Sequence, residues 1–218
     1  MDKILFPVQA EYLSHFANHK DPLIIEMEKY AHENNVPILD QNSAAFMEVL
    51  IKMLKPKRVL EIGTAIAYSS IRIARNLKKK SVVHTIEKSE DNIALAKAYI
   101  KRSNVEEKII ILPGNAINVL PALDKKYDFI FLDADKNEYS KLFELSLALL
   151  KKGGVIMVDN LLWHGLAAAE KIPPKYQTST EHIRNFNKEF MERPELKASI
   201  IPVGDGLGIG VKIGWTMI

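Results

Sequence analysis

Two apolar runs in this chain end abruptly on acidic residues: Phe129-Ile130-Phe131-Leu132-Asp133 and Val155-Ile156-Met157-Val158-Asp159-Asn160. A continuous β-branched and aromatic run reads as a strand buried on both faces, the environment of a parallel sheet covered by helices. Ligands of open α/β sheets bind beyond the carboxyl ends of the strands. Each run therefore delivers its acidic terminus to the place where a ligand sits. Two carboxylates there, with an amide beside the second, form an oxygen-rich cluster that repels itself unless a cation neutralises it. The pair points to a metal-assisted active site.

The rest of the chain supports such a sheet. From about residue 57 to 160 strand and helix patterns alternate, which implies βαβ units. The expected strands are Arg58–Ile62, Val82–Glu87, Lys108–Leu112, Tyr127–Asp133 and Gly154–Asp159. Between them a helix is expected over Tyr68–Leu77, and another, capped by Ser89 with Glu90 and Asp91 in its first turn, runs to Arg102. Upstream, Asp21-Pro22 reads as an N-cap followed by proline at the first helical position, opening a helix through Asn34. Asp40 caps a further helix through Leu54, with Phe46, Val49, Leu50 and Met53 at helical spacing. Residues 1–55 are thus a helical cover over one sheet face, or part of an oligomer contact, and residues 56–218 the core of the same domain. Tyr12, His15 and Phe16 are read as helix packing. After residue 160 come a loop with Trp163, His164 and Pro173-Pro174, a helix near Thr180–Met191, and strands Ser199–Val203 and Leu207–Ile213. The Gly204-Asp205-Gly206 turn between those strands suggests an antiparallel hairpin at the sheet edge.

Composition narrows the function classes. At 218 residues, 47% hydrophobic and 26% charged, the chain suits one globular domain with a large core. The absence of cysteine excludes disulfide frameworks, thiolate metal sites and a cysteine nucleophile. Met1 to Ala10 lack a basic segment followed by an apolar core, and no apolar stretch approaches membrane-spanning length, so a cytoplasmic protein with no membrane partner is expected. Net charge is only +3, but basic residues bunch at Lys52, Lys55, Lys57 and Arg58, at Arg72, Arg75 and Lys78 to Lys80, and at Lys101 and Arg102. Singly these are solvated helix ends; together they permit a polyanionic partner without requiring one.

Every expected parallel strand ends on a usable group. The first leads into Glu61-Ile62-Gly63-Thr64-Ala65-Ile66-Ala67-Tyr68-Ser69, the second ends on Glu87, and the third on Pro113-Gly114-Asn115-Ala116. Glu87 lies near the place where a Rossmann-like fold puts the carboxylate that grips a ribose diol. Dinucleotide binding wants Gly-x-Gly-x-x-Gly, whose backbone cradles a pyrophosphate. Here only Gly63 is present, with Ala65 and Ala67 nearby and Glu61 at the head. An acid there repels a pyrophosphate but suits the ammonium of an amino-acid-bearing nucleoside, which favours S-adenosylmethionine over NAD. Asp133, Asp159 and Asn160 offer hard oxygen ligands for Mg²⁺, Mn²⁺ or Ca²⁺ rather than zinc. Lys136, three residues after Asp133, is either a base for a bound hydroxyl or a solvated surface lysine; spacing supports both. Trp163 and His164 are candidates for lining the substrate mouth, or solvent-exposed loop residues, and are left outside the catalytic set.

The run Val59 to Ser69, together with Phe131-Leu132-Asp133-Ala134-Asp135-Lys136 and Val158-Asp159-Asn160, resembles the cation-dependent O-methyltransferases of the catechol and caffeoyl-CoA type. Pro202-Val203-Gly204-Asp205-Gly206-Leu207 is similar to that family's closing hairpin. The resemblance implies a class I methyltransferase fold: a Rossmann-like, mostly parallel seven-stranded sheet with an antiparallel C-terminal hairpin and an N-terminal helical cover. It places Gly63, Tyr68, Ser69, Glu87, Gly114, Asn115, Ala116 and Asp133 along the S-adenosylmethionine site, with Glu61 at its head and Ile38 or Leu39 touching it from the cover. It makes Asp133, Asp159 and Asn160 the ligands of Mg²⁺ or Mn²⁺, and Asp133 and Lys136 the catalytic pair. Two departures stand out. Ala67 replaces a glycine usual in the first motif, which matters if the backbone there needs positive φ. Gly208 stands where the catechol enzymes carry a glutamate that pairs with the second substrate hydroxyl. Val36-Pro37-Ile38, Thr64-Ala65-Ile66 and the tail Ala198 to Leu207 are most like the bacterial tRNA 5-hydroxyuridine methyltransferases. That likeness implies tRNA as substrate, with a small phenol as the alternative, and a homodimer.

Overall fold

A computed structural model describes residues 6–17 and 20–214. Its centre is one seven-stranded sheet in the order β3-β2-β1-β4-β5-β7-β6. Strands β1 (Arg58–Ile62), β2 (Val82–Glu87), β3 (Ile109–Pro113), β4 (Tyr127–Leu132) and β5 (Leu150–Val158) are parallel. The last two, β6 (Leu196–Ile201) and β7 (Leu207–Lys212), run antiparallel to each other, and β7 runs antiparallel to β5. The expected hairpin is thus present, but its second strand is interior and only β6 lies at the edge. Strand order reverses between β1 and β4, so their carboxyl ends open a crevice for a ligand.

Alternate residues of the central strands feed two cores, which is why their sequences are apolar without interruption. Val59, Phe129, Phe131, Val155 and Met157 pack on one face beneath α2 (Pro22–Asn34), α3 (Gln41–Leu54), α4 (Tyr68–Asn76) and α5 (Glu90–Lys101). Leu60, Ile62, Ile130, Leu132, Ile156 and Val158 pack on the other, against Phe143 of α7 (Tyr139–Leu149) and Phe186 and Phe190 of α8 (Gln177–Glu192). A short helix, α6 (Ala116–Val119), follows β3. β5 starts at Leu150 rather than Gly154, because its pairing with β4 slips between Tyr127 and Phe129 and readmits the lysine pair before the glycines.

The helical cover forms for the local reasons the sequence shows. Asp21 accepts hydrogen bonds from the Leu23 and Ile24 amides at 2.9 and 3.2 Å, Pro22 occupies the first turn, and left-handed Asn35 stops α2. Asp40 caps α3 in the same way. The stripe that α3 buries is Ser43, Ala44, Met47 and Ile51; Val49 and Met53 are exposed. The helix is apolar on more than one side: Phe46 and Leu50, from the expected stripe, are half-buried against the same core. A buried polar chain ties the cover to the sheet. Arg72, 1% exposed, donates to Glu48 Oε1 at 2.7 Å and to the Tyr68 hydroxyl at 2.6 Å, while Tyr68 donates to Glu28 Oε1 at 2.6 Å. On α1 (Pro7–Ala17), Tyr12 and Phe16 pack edge-on against each other at 5.0 Å along the helix, and both rings are otherwise exposed.

Candidate active site

The backbone ladders run one residue past the parallel strands and line their ends up. Gly114 N–H donates to the Glu87 carbonyl at 2.8 Å, Gly63 N–H to Ile86 at 3.1 Å, Asp133 N–H to Ile62 at 3.0 Å, and Asp159 N–H to Leu132 at 3.1 Å. Gly114, Glu87, Gly63, Asp133 and Asp159 thereby stand in a row along the carboxyl edge. Only glycine fits at 63: φ is +101°, and a Cβ there would lie 1.9 Å from the Asp133 carbonyl oxygen. Ala67, which precedes α4, also has positive φ, at 69°, so the departure from glycine noted above does fall on a left-handed position.

A cavity of about 850 Å³ opens over this row. It is lined by Ile38, Gly63, Glu87, Gly114, Asn115, Ala116, Asp133, Lys136, Asp159 and Asn160 from the expected site. Leu39, Glu61, Tyr68 and Ser69 lie outside it. Leu39 is in the core, and Tyr68 points to Glu28 and Arg72. Glu61 pairs in register with Thr85 and Phe131, so its side chain shares their face of the sheet rather than the cavity. There it is fully buried, accepts from the Ser70 and Thr85 hydroxyls, and leaves Oε1 without a partner among the described residues. Burial pushes its carboxyl up to about 7, against the lowering effect of the neighbouring hydroxyls.

Glu87 is held rigidly. Its Oε2 accepts from the Ala65 amide, and its Oε1 from the Lys88 and Ser89 amides, all at 2.9 Å. A carboxylate has about four acceptor positions, so roughly one remains for a ligand hydroxyl. Asn115 caps α6 through the Ile117 amide at 2.9 Å. The acidic end of the cavity is organised by Lys136, whose Nζ donates to Asn160 Oδ1 at 2.5 Å, to the Tyr139 hydroxyl at 2.7 Å and to Asp133 Oδ1 at 3.1 Å. The Tyr139 hydroxyl in turn donates to the Asp159 carbonyl at 3.1 Å. Asp159 is 4% exposed, and burial followed by the Asp133 charge pushes its carboxyl up to about 8.

Sequence reasoning missed Asp205. In the hairpin turn it reads as a turn former, yet its Oδ2 accepts from Asn160 Nδ2 at 3.3 Å and its Oδ1 from the His164 amide at 2.5 Å. It braces a loop in which Asn160, Trp163 and His164 all have positive φ. Trp163 and His164, suggested by the sequence as lining of the substrate mouth, do line the cavity, together with Lys175, Thr178, Ser179 and His182, which no strand-end argument could locate. Gly208 lies in β7, where a Cβ would meet Leu161 Cδ1 at 2.5 Å and Phe190 Cε1 at 3.0 Å.

Asp133, Asp159 and Asn160 fit a hard divalent cation. Asp159 Oδ1 is buried with no hydrogen-bond partner among the described residues, and such an orphaned carboxylate oxygen is satisfied by a metal. No group of three His, Cys, Asp or Glu side chains among the described residues is placed to hold a metal, so the Asn160 amide is needed to complete the set.

A family model described as O-methyltransferase matches residues 14–213. The chain belongs to the O-methyltransferase family. This O-methyltransferase is 33% identical over 181 residues to a caffeoyl-CoA O-methyltransferase of Populus kitakamiensis, covering 79% of this chain and 76% of that protein. It is 31% identical over 187 residues to the Medicago sativa enzyme of the same name, covering 82% and 76%. Among solved structures it resembles a Staphylococcus aureus protein provisionally described as a caffeoyl-CoA O-methyltransferase, with a TM-score of 0.87, 32% identity and coverage of 94% and 99%. A Bacillus cereus O-methyltransferase in complex with SAH gives a TM-score of 0.80 at 28% identity, covering 93% and 96%. The seven-stranded sheet is the architecture of these enzymes, and the family uses S-adenosylmethionine as its methyl donor.

Proposed function

We propose that this chain transfers a methyl group from S-adenosylmethionine to a hydroxyl held beside a divalent cation, Mg²⁺ or Mn²⁺. The observation that supports this best is the row of strand ends facing one cavity, with Glu87 and Gly63 at one end and Asp133, Asp159 and Asn160 at the other. In this reading Gly63, Glu87, Gly114, Asn115, Ala116 and Ile38 hold the donor, and Asp133, Asp159 and Asn160 hold the metal. A bound cation lowers the pKa of a hydroxyl in contact with it, which lets the oxyanion form near neutral pH. The protein's own contribution is positioning. Glu87 is fixed by three backbone amides, so a hydroxyl it binds cannot drift. Lys136 spends all three ammonium hydrogens on Asp133, Asn160 and Tyr139, which makes it a fixed positive charge beside the acceptor oxygen.

For the acceptor we propose 5-hydroxyuridine at the wobble position of tRNA, giving 5-methoxyuridine. The motif likeness and the clustered basic residues support it. A phenolic acceptor is the second reading, favoured by the caffeoyl-CoA enzymes among the relatives. A cytoplasmic homodimer belongs to the same proposal; exposed Phe6, Val8, Tyr12, Phe16, Val49 and Met53 on the cover support self-association, which sedimentation would test. The deciding experiment incubates the protein with methyl-labelled S-adenosylmethionine and Mg²⁺, against hydroxylated tRNA and a panel of phenols including caffeoyl-CoA. Label in tRNA alone establishes the first acceptor, and label in phenols alone the second. Label in neither, or full activity of Asp159→Ala in excess EDTA, refutes the metal-assisted reading.

A further inference from the structure

Lys55 and Lys57, bunched in the sequence, meet a second pair, Lys151 and Lys152, in a cleft that shares no residue with the catalytic cavity. This cleft, of about 320 Å³, lies at the opposite edge of the sheet, where β1, β4 and β5 begin. Asp128 lines it, whereas Asp133 follows the far end of the same strand. At ~3.3 Å per residue, roughly 17 Å of β4 separates the two sites. A small molecule cannot span that length of packed sheet. Whatever the cleft holds is therefore distinct from a methyl donor or a small acceptor bound in the catalytic cavity.

Other lysines at this edge have a structural task. Lys108 donates to the Ala74 and Leu77 carbonyls at 3.2 Å, and Lys126 to Ala148 at 2.6 Å, which satisfies the carbonyl ends of α4 and α7. The ammonium groups of Lys55, Lys57 and Lys152 have no such partner among the described residues, and all three side chains are exposed. The one acid of the cleft is already spent. Asp128 Oδ1 accepts from Lys151 Nζ at 2.6 Å, and Oδ2 accepts from the Lys57 and Arg58 amides at 2.9 Å. One lysine of the four is thus balanced and three are not. A concave wall of protein focuses their field, so an anion entering the cleft relieves their mutual repulsion. We propose that this cleft binds a ligand bearing adjacent phosphate groups, gripped by Lys55, Lys57 and Lys152. Two joined phosphates bring roughly three negative charges, which matches the three free ammonium groups. The cleft is lined by lysines and by no arginine, which suits a compact phosphate better than a planar carboxylate taken two-pronged. The same chemistry is offered by a free diphosphate compound and by consecutive phosphates of an RNA strand.

The test measures binding of radiolabelled inorganic pyrophosphate by equilibrium dialysis at low salt, in EDTA so that no divalent cation bridges ligand and protein. Wild type should bind one equivalent. The double variant Lys55→Gln/Lys152→Gln should bind roughly tenfold more weakly, since two charge-assisted contacts are lost. Lys79→Gln/Lys80→Gln removes the same charge from an exposed run outside the cleft and should leave the affinity unchanged. Acetylation of the wild-type protein, mapped by mass spectrometry, locates the site without mutation. Saturating pyrophosphate should slow modification of Lys55, Lys57 and Lys152 severalfold and leave Lys79 and Lys80 untouched, which keeps the test decisive should the double variant fold poorly. A short oligoribonucleotide then serves as competitor. Displacement of pyrophosphate identifies RNA phosphates as a source of the ligand, and retention identifies a free diphosphate compound. No binding of pyrophosphate by wild type, equal weakening in both variants, or equal protection of all five lysines overturns the proposal.

Discussion

Glu61 offers a quantitative test of how this sheet treats a buried charge. Replacing it with glutamine keeps the size and one acceptor for the Ser70 and Thr85 hydroxyls, but removes the titration. The carboxyl is raised from 4.5 to about 7 by full burial. The folded protein therefore holds a proton that the unfolded chain has already released between those values, and stability falls as pH rises through that window. A shift of this size corresponds to roughly 3.4 kcal/mol in total, at about 1.36 kcal/mol per unit. Between pH 5 and pH 8 the wild type should lose about 2.5 kcal/mol from this group alone. Asp159, raised to about 8, adds a loss of the same sign in both proteins, so the difference between them isolates Glu61. Urea denaturation at the two pH values supplies the measurement. The wild-type midpoint should fall by on the order of 1 M more than that of Glu61→Gln. Parallel losses in the two proteins would mean that Glu61 ionises normally, and the reasoning from burial would be refuted.

Three further outcomes are expected. Gly63→Ala forces a Cβ into the Asp133 carbonyl at a left-handed position, and should cost roughly 3 kcal/mol or more in a thermal melt. Asp205→Ala removes the brace on Asn160 and the His164 loop; methyl transfer should fall about 10- to 100-fold with an unchanged far-UV circular dichroism spectrum. Arg72→Ala removes the buried guanidinium that joins Glu48 to the Tyr68 hydroxyl, and chemical denaturation should show a loss on the order of 3 kcal/mol.

Much of the sheet is legible because the parallel strands are buried on both sides, which leaves short apolar runs rich in β-branched and aromatic residues. Asp133 and Asp159 stood out because each ends such a run. The misplacements have a common cause. Glu61 was placed by its nearness to a strand end, but side chains alternate across a strand, and its parity sends it beneath the sheet with Phe131. Tyr68 fell outside the cavity because α4 turns its first residue toward Glu28 on the cover. The expected α3 stripe is half right: Phe46 and Leu50 pack on the core, but Val49 and Met53 face solvent, because a helix apolar on two sides offers two periodic faces and only the packing partner chooses between them. Asp205 and the α8 side of the cavity are illegible for another reason. They reach the site from the hairpin turn and from α8, remote in sequence, and their residue types are ordinary for turns and helix starts.

The glycine at 208 has a consequence for how this scaffold can change. A carboxylate at that position is not one substitution away, because Leu161 and Phe190 already fill the space a side chain would need. Clearing it means shrinking two core residues first, each at a cost of about 2–5 kcal/mol, before any benefit in selectivity is felt. The outer wall carries no such barrier: Lys175 stands in solvent, and exchanges at such positions are usually close to neutral. The mutational paths open to this enzyme therefore run through the mouth of the cavity, while position 208 is held fixed by its own packing.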